Sequence, residues 1–316
     1  MKAIFTHRKD LDGIACAAIF KRAYNDVKIF LLDYGEEEAL QMLNHMEEIA
    51  KNDDNNLFVI SDIGINKPVA NLLYEGFRKI ISSTLKICWF DHHVWPDELK
   101  IKFNDIIELS IETDKCASEI VADEFCKSDE ICELLSSIAR DSDFKLNKYK
   151  ITELLDDIIA YYNYTHDYEK LKDLASKLAQ GILWDANSQK IWDNYILERN
   201  KAIEELKRNY KKLSINSKVV AISIVNDIIP SSMAVNILLK ESKSDIAIAV
   251  RERGTLTIMR NKDSNIECNK IAEFFGGGGH PFIAGGKLPK DLVEKRDYDL
   301  WINYIADILK NSLKSS

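Results

Sequence analysis

Short apolar runs alternate with helical patterns through the first half of the chain. Four runs have the length and apolar character of buried strands, and helical periodicity fills the intervals between them. The predicted strands are 3–5, 27–32, 57–60 and 87–90, and the predicted helices are 13–24, 36–51 and 66–79. Because strands that alternate with helices at this spacing pair in parallel, the pattern predicts an α/β domain whose parallel sheet has helices on both faces.

The second half of the chain changes character twice. From about 116 to 213 the pattern is helical, and 187–213 carries many Lys, Glu and Arg residues beside apolar residues at helical spacing. Strands are then predicted at 219–225, 245–250 and 255–259, with helices near 231–240, 267–275 and 297–314. We therefore expect an N-terminal domain at 1–186, a helical connector at 187–215 and a smaller C-terminal α/β domain at 216–316.

Asp and His residues follow each of the four predicted N-terminal strands. In chain order they are His7, Asp10 and Asp12, then Asp33, then Asp62, then Asp91, His92 and His93. The carboxyl ends of parallel strands meet at one edge of a sheet, so these side chains should converge. Carboxylate and imidazole groups bind Mn²⁺ or Mg²⁺, and two ions about 4 Å apart can bind a phosphate and activate water. The convergence predicts a two-metal site.

Each acidic cluster also has a simpler interpretation when it is taken alone. Asp10 and Asp12 could cap the helix that opens near Gly13, and Asp62 could cap the helix that follows Asn66. Two adjacent histidines behind an aspartate are harder to place, because they fit poorly in a core and are seldom needed on a surface. The joint pattern, with a further Asp141 in the helical region, favours the metal site.

Composition and charge exclude several classes of protein. The chain has 316 residues, 46% of them apolar, and a formal charge of −8, so it has no global positive field to gather long duplex nucleic acid. Its six cysteines form no C-x-x-C pair, and we found neither a signal-peptide pattern nor an apolar run long enough to span a bilayer. These features predict a reduced, cytoplasmic protein with no membrane partner and no zinc ribbon.

Glycine is concentrated near the C-terminus, where 276–286 reads Gly-Gly-Gly-Gly-His-Pro-Phe-Ile-Ala-Gly-Gly. Consecutive glycines remove every Cβ from a turn and expose backbone N–H groups that can surround an anion. A flexible linker is the alternative, although linkers seldom contain His-Pro-Phe and continue into a strand. The spacing matches neither a P-loop nor the dinucleotide-binding fingerprint, so no ATP or NAD site is indicated.

Together these motifs resemble a DHH-family phosphoesterase with a C-terminal DHHA1 domain, similar to the RecJ-like nucleases and the nanoRNase and pAp-phosphatase group. Asp91-His92-His93 is the triplet that gives the family its name, and the glycine segment is similar to the DHHA1 signature. The resemblance implies two Mn²⁺ ions, with Mg²⁺ as an alternative. The implied ligands are His7, Asp10 and Asp62 for the first ion, and Asp12, Asp62, His92 and Asp141 for the second.

The resemblance also assigns roles to residues around the ions. Asp62 would bridge the ions, Asp91 would orient an adjacent imidazole, and His93 would contact the scissile phosphate. Relatives often have Thr-Gly where this chain has Ser142-Asp143, which leaves Asp143 as an alternative to Asp141. The part of the substrate away from the cleaved bond would be held by Arg260, Gly277, Gly278, Gly279 and His280.

The implied activity is hydrolysis of short oligonucleotides by a metal-activated water, in the manner of a nanoRNase and with pAp as a further substrate. Two other enzymes keep the site but change the substrate: a phosphodiesterase of linear or cyclic dinucleotides such as pApA or c-di-AMP, and a RecJ-like exonuclease on single-stranded DNA. A non-enzymatic scaffold would be expected to lose metal ligands, which this chain retains. The expected partners are short single-stranded RNA or DNA, or dinucleotides, and a homodimer is left open.

Overall fold

A computed structural model describes residues 1–51, 56–65, 67–81 and 85–313, with the backbone alone for 67 and 68. Its contacts divide the chain into a first unit, Met1–Trp192, and a second unit, Asp193–Ser316. Among the described residues, no helix combines the length and the apolar character that crossing a bilayer requires. Positions 66 and 314, at the ends of two predicted helices, lie outside the described residues.

The first unit is built on a five-stranded parallel sheet with strand order β2-β1-β3-β4-β5. Its elements are β1 (Lys2–His7), α1 (Leu11–Tyr24), β2 (Lys28–Leu32), α2 (Glu36–Ala50), β3 (Asn56–Ser61), α3 (Lys67–Ile80), β4 (Leu85–Asp91), α4 (Asp97–Asn104), β5 (Glu108–Ile111), α5 (Ala117–Phe125), α6 (Glu130–Asp143), α7 (Lys150–Tyr164) and α8 (Tyr168–Ala179). The predicted parallel sheet is confirmed. The sequence did not predict β5, a four-residue strand at the sheet edge.

Alternate strand residues face two separate cores. Ile4, Val59 and Phe90 pack with α1 and α5 to α8 on one face, whereas Phe58 and Trp89 pack with α2 to α4 on the other. The first ten residues of α1 are all buried, because the sheet and four helices surround them. Helices therefore cover both faces, and the carboxyl edge of the sheet carries the polar residues.

The second unit contains a six-stranded mixed sheet with strand order β10-β11-β9-β8-β7-β6, in which only β7 and β8 are parallel among the described pairs. The long helix α9 (Ala186–Arg208) begins in the first unit and ends in the second. The remaining elements are β6 (Lys211–Ile215), β7 (Lys218–Ile224), α10 (Ser231–Ser242), β8 (Ile246–Val250), β9 (Thr255–Arg260), α11 (Cys268–Glu273), β10 (Gly278–Gly279), β11 (Ile283–Lys287), α12 (Lys290–Glu294) and α13 (Tyr298–Ser312).

The helical prediction for 211–213 was wrong, since these residues belong to β6. This strand pairs antiparallel with β7 across a two-residue turn, Asn216-Ser217, and both turn residues have a positive φ, 48° and 65°. Two consecutive left-handed residues are typical of a type I′ hairpin, which Asn favours. The apolar residues Leu213 and Ile215 alternate with polar ones, so a period of two was available in the sequence.

The prediction that the cysteines are reduced was wrong for one pair. Cys126 ends α5 and Cys132 lies in the first turn of α6, and the two form a disulfide across a Cα–Cα distance of 6.3 Å. The tight connection between the two helices brings the thiols within bonding reach. The other four cysteines are buried thiols.

Gly13 is required where α1 meets the end of β1. A Cβ at this position would overlap the carbonyl oxygen of His7, so we expect Gly13→Ala to lower the free energy of unfolding by about 2 kcal/mol. Urea denaturation of both proteins measures the change. Gly278→Ala is the matched control, because no atom lies within 4 Å of its Cβ position. Equal stability of the two variants would contradict this packing.

Candidate metal centre

The register of three neighbouring strands brings together the acidic and histidine clusters that follow β1, β3 and β4. Thr6 of β1 is aligned with Ser61 of β3, and Ser61 is aligned with Phe90 of β4. The next residues along the three strands are therefore His7, Asp62 and Asp91, at one edge of the sheet. Two groups with metal-ligand spacing form there, one of His7, Asp10 and Asp62 and one of Asp62, Asp91, His92 and His93. Asp62 belongs to both groups.

The first group contains an ion pair between His7 and Asp10. Asp10 caps α1 by accepting a hydrogen bond from the Gly13 N–H at 3.1 Å, and its other oxygen lies 2.9 Å from His7 Nδ1. Asp62 Oδ2 lies 3.7 Å from the same nitrogen. Burial opposes charge on both partners, but the ion pair outweighs it, raising the pKa of His7 to about 9 and lowering that of Asp10 to about 2.

Asp62 is placed between the groups by an uncommon backbone conformation. Its φ is 54°, in the left-handed region, and its N–H donates to the Phe90 carbonyl at 3.1 Å. Such conformations in non-glycine residues are concentrated at functional sites. Burial, and then the carboxylates of Asp10 and Asp12, raise the pKa of Asp62 well above its usual range.

A divalent cation fits this donor set. Asp62 Oδ2 is buried and makes no hydrogen bond with the described residues. Buried polar atoms without partners are costly, and several carboxylates in one pocket repel each other. Positive charge among them would remove both penalties, and oxygen and imidazole donors suit Mn²⁺ or Mg²⁺.

The side chains of the triplet Asp91-His92-His93 contact different partners. Asp91 is fully buried, and its two oxygens are occupied by Trp95 Nε1 at 2.7 Å and His93 Nδ1 at 2.8 Å. His92 Nε2 instead lies 3.3 Å from Asp62 Oδ1 and 4.0 Å from Asp12 Oδ2. Thus His92 faces Asp62, the carboxylate that the two groups share. The hydrogen bond to Asp91 holds the His93 ring and raises the pKa of its imidazole.

Asp12 lies at the border of the second group. Its carboxylate accepts hydrogen bonds from Ala117 N at 2.7 Å and Ser118 N at 2.9 Å, at the start of α5. Burial raises its pKa to about 6, with a further contribution from Asp10, although the bonds from Ser118 act in the opposite direction. The residue therefore joins α5 to the site while facing His92.

Of the two aspartates near the end of α6, the structure brings Asp143 and not Asp141 close to His92. Asp143 Oδ2 lies 3.5 Å from His92 Nδ1. Asp141 accepts three hydrogen bonds, from Lys148 N, Tyr149 N and the Thr152 hydroxyl, at 2.7, 3.0 and 2.8 Å. Residues two apart on a helix point about 200° away from each other, so α6 presents one of the two aspartates to the site.

Two residues at the end of β2 were not among the predicted site residues. Asp33 Oδ1 lies 3.6 Å from His7 Nε2, and the Tyr34 hydroxyl lies 3.4 Å from His93 Nε2. Asp33 was visible in the sequence as the acidic residue after the second strand. Tyr34 carried no signal of its own, because a tyrosine after a strand is common.

The predicted substrate residues of the second unit lie around a glycine hairpin. Gly278 and Gly279 pair with Gly285 and Ala284, and the His280 imidazole stacks on the exposed Phe282 ring with centroids 5.4 Å apart. A Cβ at Gly277 would overlap the Gly285 carbonyl oxygen. Close backbone approach therefore requires glycine here.

Arg260 ends β9 beside this hairpin, and its backbone N–H donates to Phe282 O at 3.1 Å. It lines a pocket of about 440 Å³, and Arg260 Nε is buried without a hydrogen-bond partner among the described residues. The other residues lining the pocket are Asn236, Leu239, Lys240, Met259, Asn261, Lys262 and Phe282. Cationic and aromatic groups thus surround one cavity.

Comparisons with known proteins identify a family domain and a similar enzyme. Residues 2–156 match the model of the DHH family, N-terminal domain. The chain is 22% identical over 330 residues to a 3′,5′-cyclic-nucleotide phosphodiesterase of Helicobacter pylori, covering 88% of this chain and 90% of that protein.

Two solved structures are also similar. The pGpG-specific phosphodiesterase of Vibrio cholerae matches with a TM-score of 0.52 and 12% identity, over 97% of this chain and 98% of its own. An uncharacterized protein from Helicobacter pylori G27 matches with a TM-score of 0.49 and 19% identity, over 97% and 99%. Residues 2–156, which contain every residue of the metal centre, therefore form an N-terminal domain of the DHH family, and the protein is a phosphoric ester hydrolase.

Proposed function

We propose that the protein hydrolyses the phosphodiester bond of short linear oligonucleotides, with dinucleotides as its preferred substrates, at a centre of two Mn²⁺ ions. One observation carries the proposal: the buried carboxylate of Asp62 belongs to both donor groups. A carboxylate shared in this way is what a pair of bridged cations requires. Two of the similar proteins named above are phosphodiesterases, one of cyclic nucleotides and one of pGpG, molecules of one or two nucleotides.

The first ion would be held by His7, Asp10 and Asp62. Asp62, His92 and Asp12 would hold the second, and Asp143 of α6 would orient His92 through its other nitrogen, Nδ1, which lies 3.5 Å from Asp143 Oδ2. Bound there, two divalent cations lower the pKa of water and neutralise charge on the phosphate. The hydrogen bonds of Asp141 to the 148–152 turn favour a structural role for that residue.

Each of the two units carries groups that suit a short nucleotide. His93 is held at Nδ1 by Asp91 and its side chain is 39% exposed, so its Nε2 can donate to a phosphate oxygen. In the second unit, the Arg260 guanidinium suits a phosphate and the stacked His280 and Phe282 rings suit a base. One base and one phosphate match a short substrate better than a polymer, which a net charge of −8 would repel.

A substrate panel tests the proposal. The protein with Mn²⁺ is offered pApA, pGpG, pAp, 3′,5′-cyclic AMP, cyclic di-AMP, a five-residue RNA, long single-stranded DNA and pyrophosphate, with Asp62→Ala as the control. We expect the linear dinucleotides to be cleaved with the highest kcat/KM and the variant to be inactive. Activity that rises steeply with oligonucleotide length, hydrolysis of none of the compounds, or equal hydrolysis by the variant would contradict the proposal.

A further inference from the structure

The carboxyl end of β2 contacts two histidines of the metal centre, His7 and His93. We propose that Asp33 and Tyr34, the two residues that follow β2, are positioning residues: Asp33 orients His7 and Tyr34 orients His93. The inference rests on the proposed function, because it concerns the same centre. It adds a strand end that contributes none of the implied ligands.

Asp33 contacts the side of His7 that faces away from the carboxylates. His7 Nδ1 points to Asp10 and Asp62, while Nε2 lies 3.6 Å from Asp33 Oδ1 and has no hydrogen-bond partner among the described residues. A histidine that ligates a metal through one nitrogen usually donates its other N–H to a carboxylate, which fixes the ring and its tautomer. Asp33 stands where that carboxylate is needed.

Asp33 is itself held in place by cationic and backbone donors. Lys9 Nζ lies 3.1 Å and Arg8 Nη2 3.4 Å from Asp33 Oδ2, and the Tyr34 N–H donates to Oδ1 at 2.9 Å. The carboxylate is therefore fixed by three partners, as an orienting group must be.

Tyr34 connects the two histidines. Its ring lies against the His7 imidazole, with centroids 4.5 Å apart, and its hydroxyl lies 3.4 Å from His93 Nε2. Because His93 donates its Nδ1–H to Asp91, Nε2 is left to the tyrosine hydroxyl, which can donate to a lone pair there or accept from an N–H.

The geometry gives the two residues separable effects. Loss of Asp33 should weaken metal binding through His7, whereas loss of the Tyr34 hydroxyl should leave His7 in place and disturb only His93. A merely structural role for β2 predicts neither separation, because loosening of the strand end would affect stability, metal affinity and turnover together.

The test for Asp33 is the affinity of the full-length protein for Mn²⁺, followed by electron paramagnetic resonance of the free ion. We expect Asp33→Asn to weaken Mn²⁺ binding by about 10- to 100-fold. Glu38→Gln is the matched control: Glu38 is the other partner of Arg8, at 3.0 Å, and has no contact with His7. Equal loss of Mn²⁺ affinity in both variants would assign the effect to Arg8 and overturn the role of Asp33.

The test for Tyr34 is the separation of kcat from KM on the substrate that the panel identifies. We expect Tyr34→Phe to lower kcat about fivefold to tenfold, the effect of one hydrogen bond, with KM and Mn²⁺ affinity within about twofold of wild type. Tyr164→Phe, at a partly buried tyrosine of α7, controls for loss of a hydroxyl. Unchanged kcat in Tyr34→Phe would overturn the assignment.

Asp33→Glu provides a second route if Asp33→Asn does not fold. This variant keeps the negative charge beside Arg8 and Lys9 but moves the carboxylate from its place 3.6 Å from His7 Nε2. Weaker Mn²⁺ binding than in the wild type supports the proposal, and equal binding overturns it for His7. A wild-type protein that binds no Mn²⁺ would overturn the proposed function itself, whereas normal wild-type binding with unaffected variants overturns the positioning role alone.

Discussion

Asp62→Asn should reduce kcat/KM about 10³-fold or more while making the metal-free protein more stable. Activity falls because the amide has one neutral oxygen where the two donor groups share a charged carboxylate. Stability rises because burial and neighbouring carboxylates raise the pKa of Asp62 in the folded state, so its charge at neutral pH opposes folding. Asparagine keeps the side-chain shape and removes that charge.

Thermal unfolding in EDTA and in excess Mn²⁺ measures how the substitution changes stability without and with the metal. The wild type should gain a higher midpoint from Mn²⁺, because a ligand that binds the folded state stabilises it, and the variant should gain much less. Asp26→Asn, at an exposed aspartate, controls for the loss of one negative charge. A variant that is less stable than the wild type in EDTA would show that Asp62 is not under electrostatic strain.

Replacing each aspartate of α6 in turn should produce opposite effects. We expect Asp143→Asn to lower kcat/KM about 10²-fold with little change in thermal midpoint, because its carboxylate lies beside His92 and not in a network of hydrogen bonds. Asp141→Asn should lower the midpoint by a few degrees and reduce kcat/KM much less, because its acceptors hold the 148–152 turn.

Steady-state kinetics and thermal unfolding on both variants separate these roles. Asn at 141 or 143 changes the charge equally, so each variant is the control for the other. If Asp141→Asn loses the greater activity at an unchanged midpoint, the ligand implied by the family resemblance is the correct one, and the hydrogen bonds of Asp141 rearrange when metal binds.

The sequence predicted the fold where a local hydrophobic pattern alone determines whether a segment is a strand or a helix. The strands β1 to β4 are apolar runs of a parallel sheet covered by helices on both faces, and helices of ordinary length separate them. Once that alternation was recognised, the convergence of His7, Asp62 and Asp91 followed from topology alone. The short edge strand β5 and the glycine strand β10 lacked an apolar pattern of sufficient length, so they were not predicted.

The arrangement within α6 could not be predicted from local pattern. Asp141 and Asp143 are two positions apart, and which of them faces His92 depends on how the helix is rotated. The acceptors of Asp141 pair with the turn after α6, a contact that no periodicity encodes. The roles of Asp33 and Tyr34 were not predicted for a similar reason, because those roles depend on neighbours contributed by β1 and β4.

The alignment of β1, β3 and β4 has a consequence for how the molecule folds. The three strands are adjacent, and each places its contribution to the centre one residue after an aligned pair. A slip of one residue between β3 and β4 would move His92 about 3.3 Å along the sheet and turn the strand residues to the opposite faces. Parallel pairing across intervening helices is slow, so the acquisition of Mn²⁺ affinity during refolding would time the moment at which the central strands reach their native register.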